Sequence, residues 1–267
     1  MKTASSVLPF YFGSGEKQLY GCYHAPRTEQ SRNCGVVICQ PMGHEYIYCH
    51  RALRQLATRL ADVGFPVLRF DFYGCGDSSG DLDDAGISQW LQDISTSITE
   101  LRSRTGIRQI CLIGVRLGAA LSFITAAEED GITAVVLWDP VVSGNAYIEE
   151  IRLLQREALR SRLKSLWRKE SSEEEVIGFP LSVGVRTAIG ELNLLTIAPK
   201  TSMRMLTVQS EEAANYDSLN HHLRRRGVQF DHQQLQAPKI WLPTIDGSLL
   251  VPTQILRSVV SWTCAQS

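Results

Sequence analysis

The stretch Ile110–Ala120, ICLIGVRLGAA, climbs through apolar residues to Gly114-Val115-Arg116-Leu117-Gly118 and passes at once into small helix formers. A strand, a sharp turn and a helix in that order make the elbow that, with the pattern G-x-S-x-G, lifts a serine towards an ester or amide. Here the central residue is Arg116. A guanidinium stays protonated at any ordinary pH, so it cannot attack a carbonyl. The role of nucleophile is lost at this position, not passed to another side chain. What such a turn keeps is its surroundings, the unpaired backbone N–H groups at the start of a helix. An arginine beside them biases the spot towards an anion such as a carboxylate, sulfate, phosphate or enolate.

Thiols are the other residues that can replace serine. Cys39 lies inside a β-branched run and reads as an inert core thiol, whereas Cys75 sits in the turn-rich DFYGCGDSSG with no evident histidine partner. The seven cysteines, Cys22, Cys34, Cys39, Cys49, Cys75, Cys111 and Cys264, form no C-x-x-C pair and no zinc-type cluster. A reduced, cytoplasmic protein without a structural metal is the expectation. GCGDSSG lacks the lysine of a phosphate-binding loop and the Rossmann glycine spacing, and no cofactor is implied.

The chain that must position these groups has 267 residues, 44% hydrophobic and 21% charged, with a formal net charge of -1. That is enough for a large core with an inserted subdomain, and it gives no support for nucleic-acid or anionic-membrane binding. The opening MKTASSVLPFYFGSGEK has no continuous apolar run, so no secretory signal is expected, and no stretch is apolar enough to span a bilayer.

Strands alternate with helices for most of the length. CGVVICQP, FPVLRFDFYG, RQICLIGV and ITAVVLWDPVV read as strands; HRALRQLATRLADVG, ISQWLQDISTSITELRSRTG and LGAALSFITAAEEDG read as the helices between them. The rhythm breaks at Asn145, where a long, charged helical stretch to Lys169, the solvated ESSEEE and a glycine-interrupted segment run on to about Pro199. It then resumes with MRMLTVQS, NYDSLNHHLRRRG, VQFDHQQL and TQILRSVVSWT as strand, helix, strand and helix. Repeated β-α units predict a mostly parallel sheet with helices on both faces. The expected division is a core of residues 1–144, a helical cap insertion of 145–199, and a second core part of 200–267.

This order, with the elbow, resembles the α/β-hydrolase fold over nearly the whole chain. More narrowly, HRALRQLATRLADVGFPVLRFDFYGCGDSSG, IGVRLGA and LWDPVVSG resemble the serine aminopeptidase-like branch, and within it the exosortase-associated hydrolases. The resemblance implies a catalytic histidine in the loop before the last helix, but QAPKIWLPTIDGSLLVP contains none, and His232 falls within a strand. It implies an acid after MRMLTVQS, where Glu211 and Glu212 are available. With nucleophile and base both absent, Ser-His-Asp hydrolysis is not expected.

The resemblance also implies that the loop around Met42, Gly43 and His44 faces residue 116 and joins the elbow amides in an anion hole. His44 could there donate to an anion or move a proton near neutral pH, or it could simply bond local backbone. Met42, Gly43, Gly114 and Leu117 would line the ligand. Asp139, in LWDP, could aim the guanidinium at a ligand or pair with it and fill the old pocket. His50 reads as structural, and His221 and His222, beside Arg224–Arg226, as a solvated face. The expected function is binding or transformation of an anionic or acyl-type small molecule without serine hydrolysis, in an exopolysaccharide or secondary-metabolite setting that the resemblance alone suggests. Two alternatives stay open: an acyl hydrolase or transferase with a non-serine nucleophile or activated water, and a non-catalytic interaction protein whose pocket is plugged.

Overall fold

The computed structural model describes residues 7–162, 175–210, 214–242, 244 and 247–266. β-Branched and apolar runs too short for helices form the buried central strands β3 (Cys34–Cys39), β4 (Val67–Phe70), β5 (Gln109–Val115), β6 (Ile132–Trp138) and β9 (Arg204–Gln209). With β1 (Val7–Phe12), β2 (Leu19–His24) and β10 (Gln229–Gln234) they make one eight-stranded sheet ordered β1-β2-β4-β3-β5-β6-β9-β10. From β4 to β10 neighbours run parallel; β2 is antiparallel to β4, and β1 to β2. The sequence pattern predicts no strand before Cys34, and the β1–β2 hairpin is an addition to it.

Helices α1 (His44–Asp62) and α7 (Thr253–Ala265) bury Leu53, Leu56, Leu60, Leu256 and Val259 against one face. On the other face α2 (Ile87–Thr105), α3 (Leu117–Glu128) and α6 (Ala214–Arg225) bury Ile94, Ile98, Leu121, Phe123 and Leu219. This is the α/β-hydrolase architecture. Helix α2 stops where expected, at Gly106, whose φ of 74° suits the left-handed cap. Helix α1 starts earlier than its periodicity implies: His44 is its first residue and His50 lies within it, so the helix takes in the last three residues of the expected QPMGHEY loop.

Between β6 and β9 lies the cap insertion. It comprises α4 (Gly144–Arg162), a two-stranded hairpin of β7 (Glu175–Val176) and β8 (Phe179–Pro180), and α5 (Val183–Gly190). The sequence pattern predicts no strands in this insertion, and the hairpin is an addition to it. The expected continuation of the charged helix to Lys169 and most of ESSEEE lie outside the described residues. No helix is long and apolar enough to cross a membrane among the described residues.

Register fixes the site. Cys39 pairs with Gly114, Gly114 with Leu137, and Trp138 with Val208, so β3, β5, β6 and β9 end level. Gln40, Arg116, Asp139 and Ser210 therefore emerge along one carboxyl edge, where open α/β sheets bind ligands.

Candidate functional site

The turn between β5 and α3 is the sharp elbow expected. Arg116 has φ 55° and ψ −121°, a conformation that side-chain-bearing residues rarely adopt, and Asp139 has φ 43°. Backbone bonds hold the turn: Arg116 N donates to Trp138 O at 3.0 Å, and Arg116 O accepts from Ala119 N at 3.1 Å and Val141 N at 3.2 Å. The flanking glycines are required by close approach. A Cβ on Gly114 would strike the backbone of Ala119, and one on Gly118 would strike the carbonyl of Cys39.

The guanidinium does not reach Asp139. Arg116 Nε donates to Glu45 Oε1 at 2.9 Å, and Nη2 donates to Glu150 Oε2 at 2.7 Å. Its Cζ lies 4.7 Å from the Trp241 ring centre and 5.5 Å from that of Tyr147. In place of the Arg116–Asp139 pair that the sequence left open, two carboxylates take the guanidinium, one from the first turn of α1 and one from the cap helix α4. Asp139 is occupied elsewhere, accepting from Ser210 N at 2.9 Å and Ser210 Oγ at 2.5 Å.

Burial alone would pull the Arg116 pKa down, but the Glu45 and Glu150 carboxylates outweigh it and hold the group well above its usual value. Glu45 is fully buried; burial raises its pKa, with Arg116 and its hydrogen bond pulling the other way. Glu45 Oε2 also accepts from Tyr147 Oη at 3.2 Å. For Asp139 too, burial raises the pKa against the two Ser210 bonds. The chemical consequence is clear: the cation already faces two anions, so little positive field remains for a third.

His44 is brought to the same place by the other helix start. Gly43, with φ 58°, turns the chain from β3 into α1. His44 is buried, and its pKa is lowered to about 4, first by burial and then by the Arg116 charge. Its Nε2 has no hydrogen-bond partner. Met42, Gly43, His44 and Leu117 line one cavity of about 40 Å³ beneath the cap, with Trp90, Tyr147, Phe179 and Val185 among its other walls. Gly114 is not in that wall; it packs beneath α3. A second, polar cleft of about 360 Å³ lies across Tyr147, lined by Arg116, Ser143, Glu150, Tyr216 and Lys239 among others.

The thiols are not activated. Cys75 is pushed up to about 12 by burial and by the Asp71 and Asp93 carboxylates, and Cys39 to about 12 by burial. All seven cysteines are free. His232 bonds Thr207 through Nδ1 at 3.0 Å on β10, and His222 Nε2 meets Ile197 O at 2.8 Å, so neither approaches Arg116 through these bonds. Glu211 and Glu212 lie outside the described residues. Among the described residues no group of three His, Cys, Asp or Glu side chains could hold a metal ion.

Sequence reasoning missed Glu45, Tyr147, Glu150 and Trp241. Tyr147 and Glu150 are three apart on α4 and so share a face, which was a readable signal. Trp241 lies in the loop between β10 and α7, where no local pattern ties it to the elbow.

Residues 36–231 match the family model described as serine aminopeptidase, S33. The chain belongs to the S33 serine aminopeptidase family. Solved structures agree with this S33 fold at low identity. Est1E from Butyrivibrio proteoclasticus, with ferulic acid bound, superposes with a TM-score of 0.70 at 17% identity, covering 96% of this chain and 98% of that one. The Pyrococcus furiosus esterase PF2001 gives 0.67 at 14% identity, covering 98% and 91%. XC6422 from Xanthomonas campestris, described as a serine hydrolase without a lid, gives 0.61 at 12% identity, covering 98% and 92%. At such identities the likeness is one of fold. Comparison with curated proteins found no match.

Proposed function

We propose that this S33 member uses the hydrolase fold without serine hydrolysis and binds an acyl-type small molecule beneath its cap. The observation that carries the reading is the state of the elbow: residue 116 is an arginine whose guanidinium is committed to Glu45 and Glu150. No histidine stands in the described part of the loop before α7, and Trp241 packs on the guanidinium instead. Between the anionic and acyl-type ligands that the sequence allows, the two carboxylates favour the acyl type. The roles of Arg116, Asp139 and His44 as chemical groups, and of Met42, Gly43, Leu117 and Gly114 as binding groups, belong to this proposal. So do the boundaries 1–144, 145–199 and 200–267, and a cytoplasmic location, which the free cysteines support. The exopolysaccharide or secondary-metabolite setting rests on the resemblance alone. The raised pKa of Cys75 weighs against a thiol nucleophile.

The test is turnover of a short-chain p-nitrophenyl ester series by the wild type, Arg116→Ala and Cys75→Ala. No multiple turnover above buffer is expected from any of the three. Sustained turnover abolished by one substitution would overturn the reading and identify the group that hydrolysis depends on.

A further inference from the structure

Arg69, on β4, is buried like Arg116 but lacks what Arg116 has. It is 8% exposed, and among the described residues no carboxylate forms an ion pair with it. Arginine is almost never buried unless paired. Its one hydrogen bond there runs from Nε to His24 Nε2 at 3.3 Å, which fixes the stem of the guanidinium and leaves Nη1 and Nη2 without partners. Unlike His24 Nδ1, those two nitrogens are not sealed from solvent, so a ligand can reach them. Asp71, two residues on along the same side of the chain, is committed to Gln40 Nε2 at 2.6 Å, Tyr46 Oη at 3.1 Å and Asp77 N at 3.0 Å.

Helix α1 crosses this side of the sheet antiparallel to β4, because it returns the chain between two parallel strands. Tyr46 meets Asp71, so the next two turns of the helix bring His50 and then Arg54 alongside Arg69 and His24. The His50 ring lies 6.3 Å from that of Tyr46, and its pKa is lowered by burial and then by the Arg69 charge. Arg54 is exposed and has no ion pair among the described residues. Arg27, also near His24, is already paired with Asp62 at 2.6 Å. Two cations, Arg69 and Arg54, therefore stand together without anions of their own.

The free ends of a guanidinium form a planar fork that fits two oxygens of one anion. Two uncompensated positive charges call for close to two negative ones, which a phosphate group carries near neutral pH and a single carboxylate does not. We propose that Arg69 and Arg54 bind a phosphate group, free or as a monoester, on the α1 side of the sheet, with two oxygens on Arg69 Nη1 and Nη2 and a third towards Arg54 and His50. Neither space at the elbow is lined by Arg69, so this site is separate from the ligand-binding reading above.

The experiment titrates the full-length protein, labelled with ¹⁵N-histidine, with inorganic phosphate, phenyl phosphate and acetate at pH 7.5 and constant ionic strength. Phosphate should shift the His50 ring resonances saturably and bind about tenfold or more tightly than acetate. Arg54→Gln should weaken phosphate about tenfold, the worth of a charge-assisted hydrogen bond, and Arg69→Met should abolish its binding. Arg225→Gln, on the basic helix α6, should leave it unchanged. If Arg69→Met does not fold, the comparison of Arg54→Gln with Arg225→Gln decides. Phenyl phosphate binding as tightly as phosphate would assign the site to a monoester, and phosphate binding alone would assign it to the free ion. No saturable shift of His50, acetate binding as tightly as phosphate, or equal losses in Arg54→Gln and Arg225→Gln would each overturn the proposal.

Discussion

Arg116 and His44 stand at the starts of two helices that converge on the same carboxyl edge of the sheet, yet they are served in opposite ways. Arg116, before α3, has a carboxylate on Nε, another on Nη2, and aromatic rings nearby. His44, first in α1, has a bare Nε2. Tyr147 lies in the walls of both spaces, the apolar cavity that His44 faces and the polar cleft that Arg116 faces. The difference follows from charge. A buried cation persists only when anions surround it, whereas a neutral imidazole tolerates a vacant position at much lower cost. The conspicuous residue of the elbow is therefore bound up in structure, and the quieter one beside it remains available.

The comparison breaks most visibly at Glu45. Glu45→Ala leaves the Arg116 guanidinium in a buried site with only Glu150 as counter-ion, and also strips the acceptor from Tyr147. Removing one partner of a buried pair typically costs roughly 3–5 kcal/mol, so urea unfolding should show a loss of that order. A loss below about 1 kcal/mol, the range of exposed ion pairs, would mean that the pair does not hold the elbow.

Why was Arg116 legible in the sequence, and Glu45 not? The elbow announces itself locally, through five residues with glycines two either side of the turn, and the strand before it is an uninterrupted apolar run. The parallel sheet was legible for the same reason. Glu45 is adjacent to His44 in a segment read as loop, because α1 lacks the Ser, Thr, Asp or Asn that marks a helix start: its cap is Gly43, with no side-chain bond. Only as a helix does that segment turn Glu45 towards residue 116. Glu150 sits in a highly charged stretch that composition assigns to solvent, and one tertiary contact exempts it. The β1–β2 hairpin escaped because its residues are half exposed and do not alternate cleanly, with Leu8 and Tyr11 outward.

The next effect in size separates His44 from its charged neighbour through pH. The folded pKa of about 4 lies below the ordinary 6.5, so between these values the unfolded chain binds more protons than the folded one. The stability this group contributes is complete above about pH 6.5 and is lost as pH falls through about 4. At 1.36 kcal/mol per unit the loss approaches about 3 kcal/mol. His24, also lowered to about 4 by burial and by Arg69, adds a slope of the same sign. Unfolding free energies at several pH values should therefore fall less steeply for His44→Leu than for the wild type, with the His24 part remaining in both. Identical slopes would show that the folded protein accepts a proton on His44 without penalty, and the contrast with Arg116 would lose its basis.

The smallest effect tests which of Arg116's two carboxylates matters. Glu150 reaches it from the cap at 2.7 Å, closer than Glu45, but its side chain is 40% exposed. Water and salt screen such a pair, and the long side chain gives up rotamer freedom to make it. Glu150→Gln should then cost about 1 kcal/mol or less, and raising the salt concentration should shrink the difference from wild type. The shorter distance is no guide to the larger contribution, because Glu45 stays with the guanidinium in a place where water cannot substitute for it. A cost for Glu150→Gln exceeding that of Glu45→Ala would reverse this ranking. The cap contact would then be the bond that fixes Arg116, and the core pair would owe its geometry to the cap being in place.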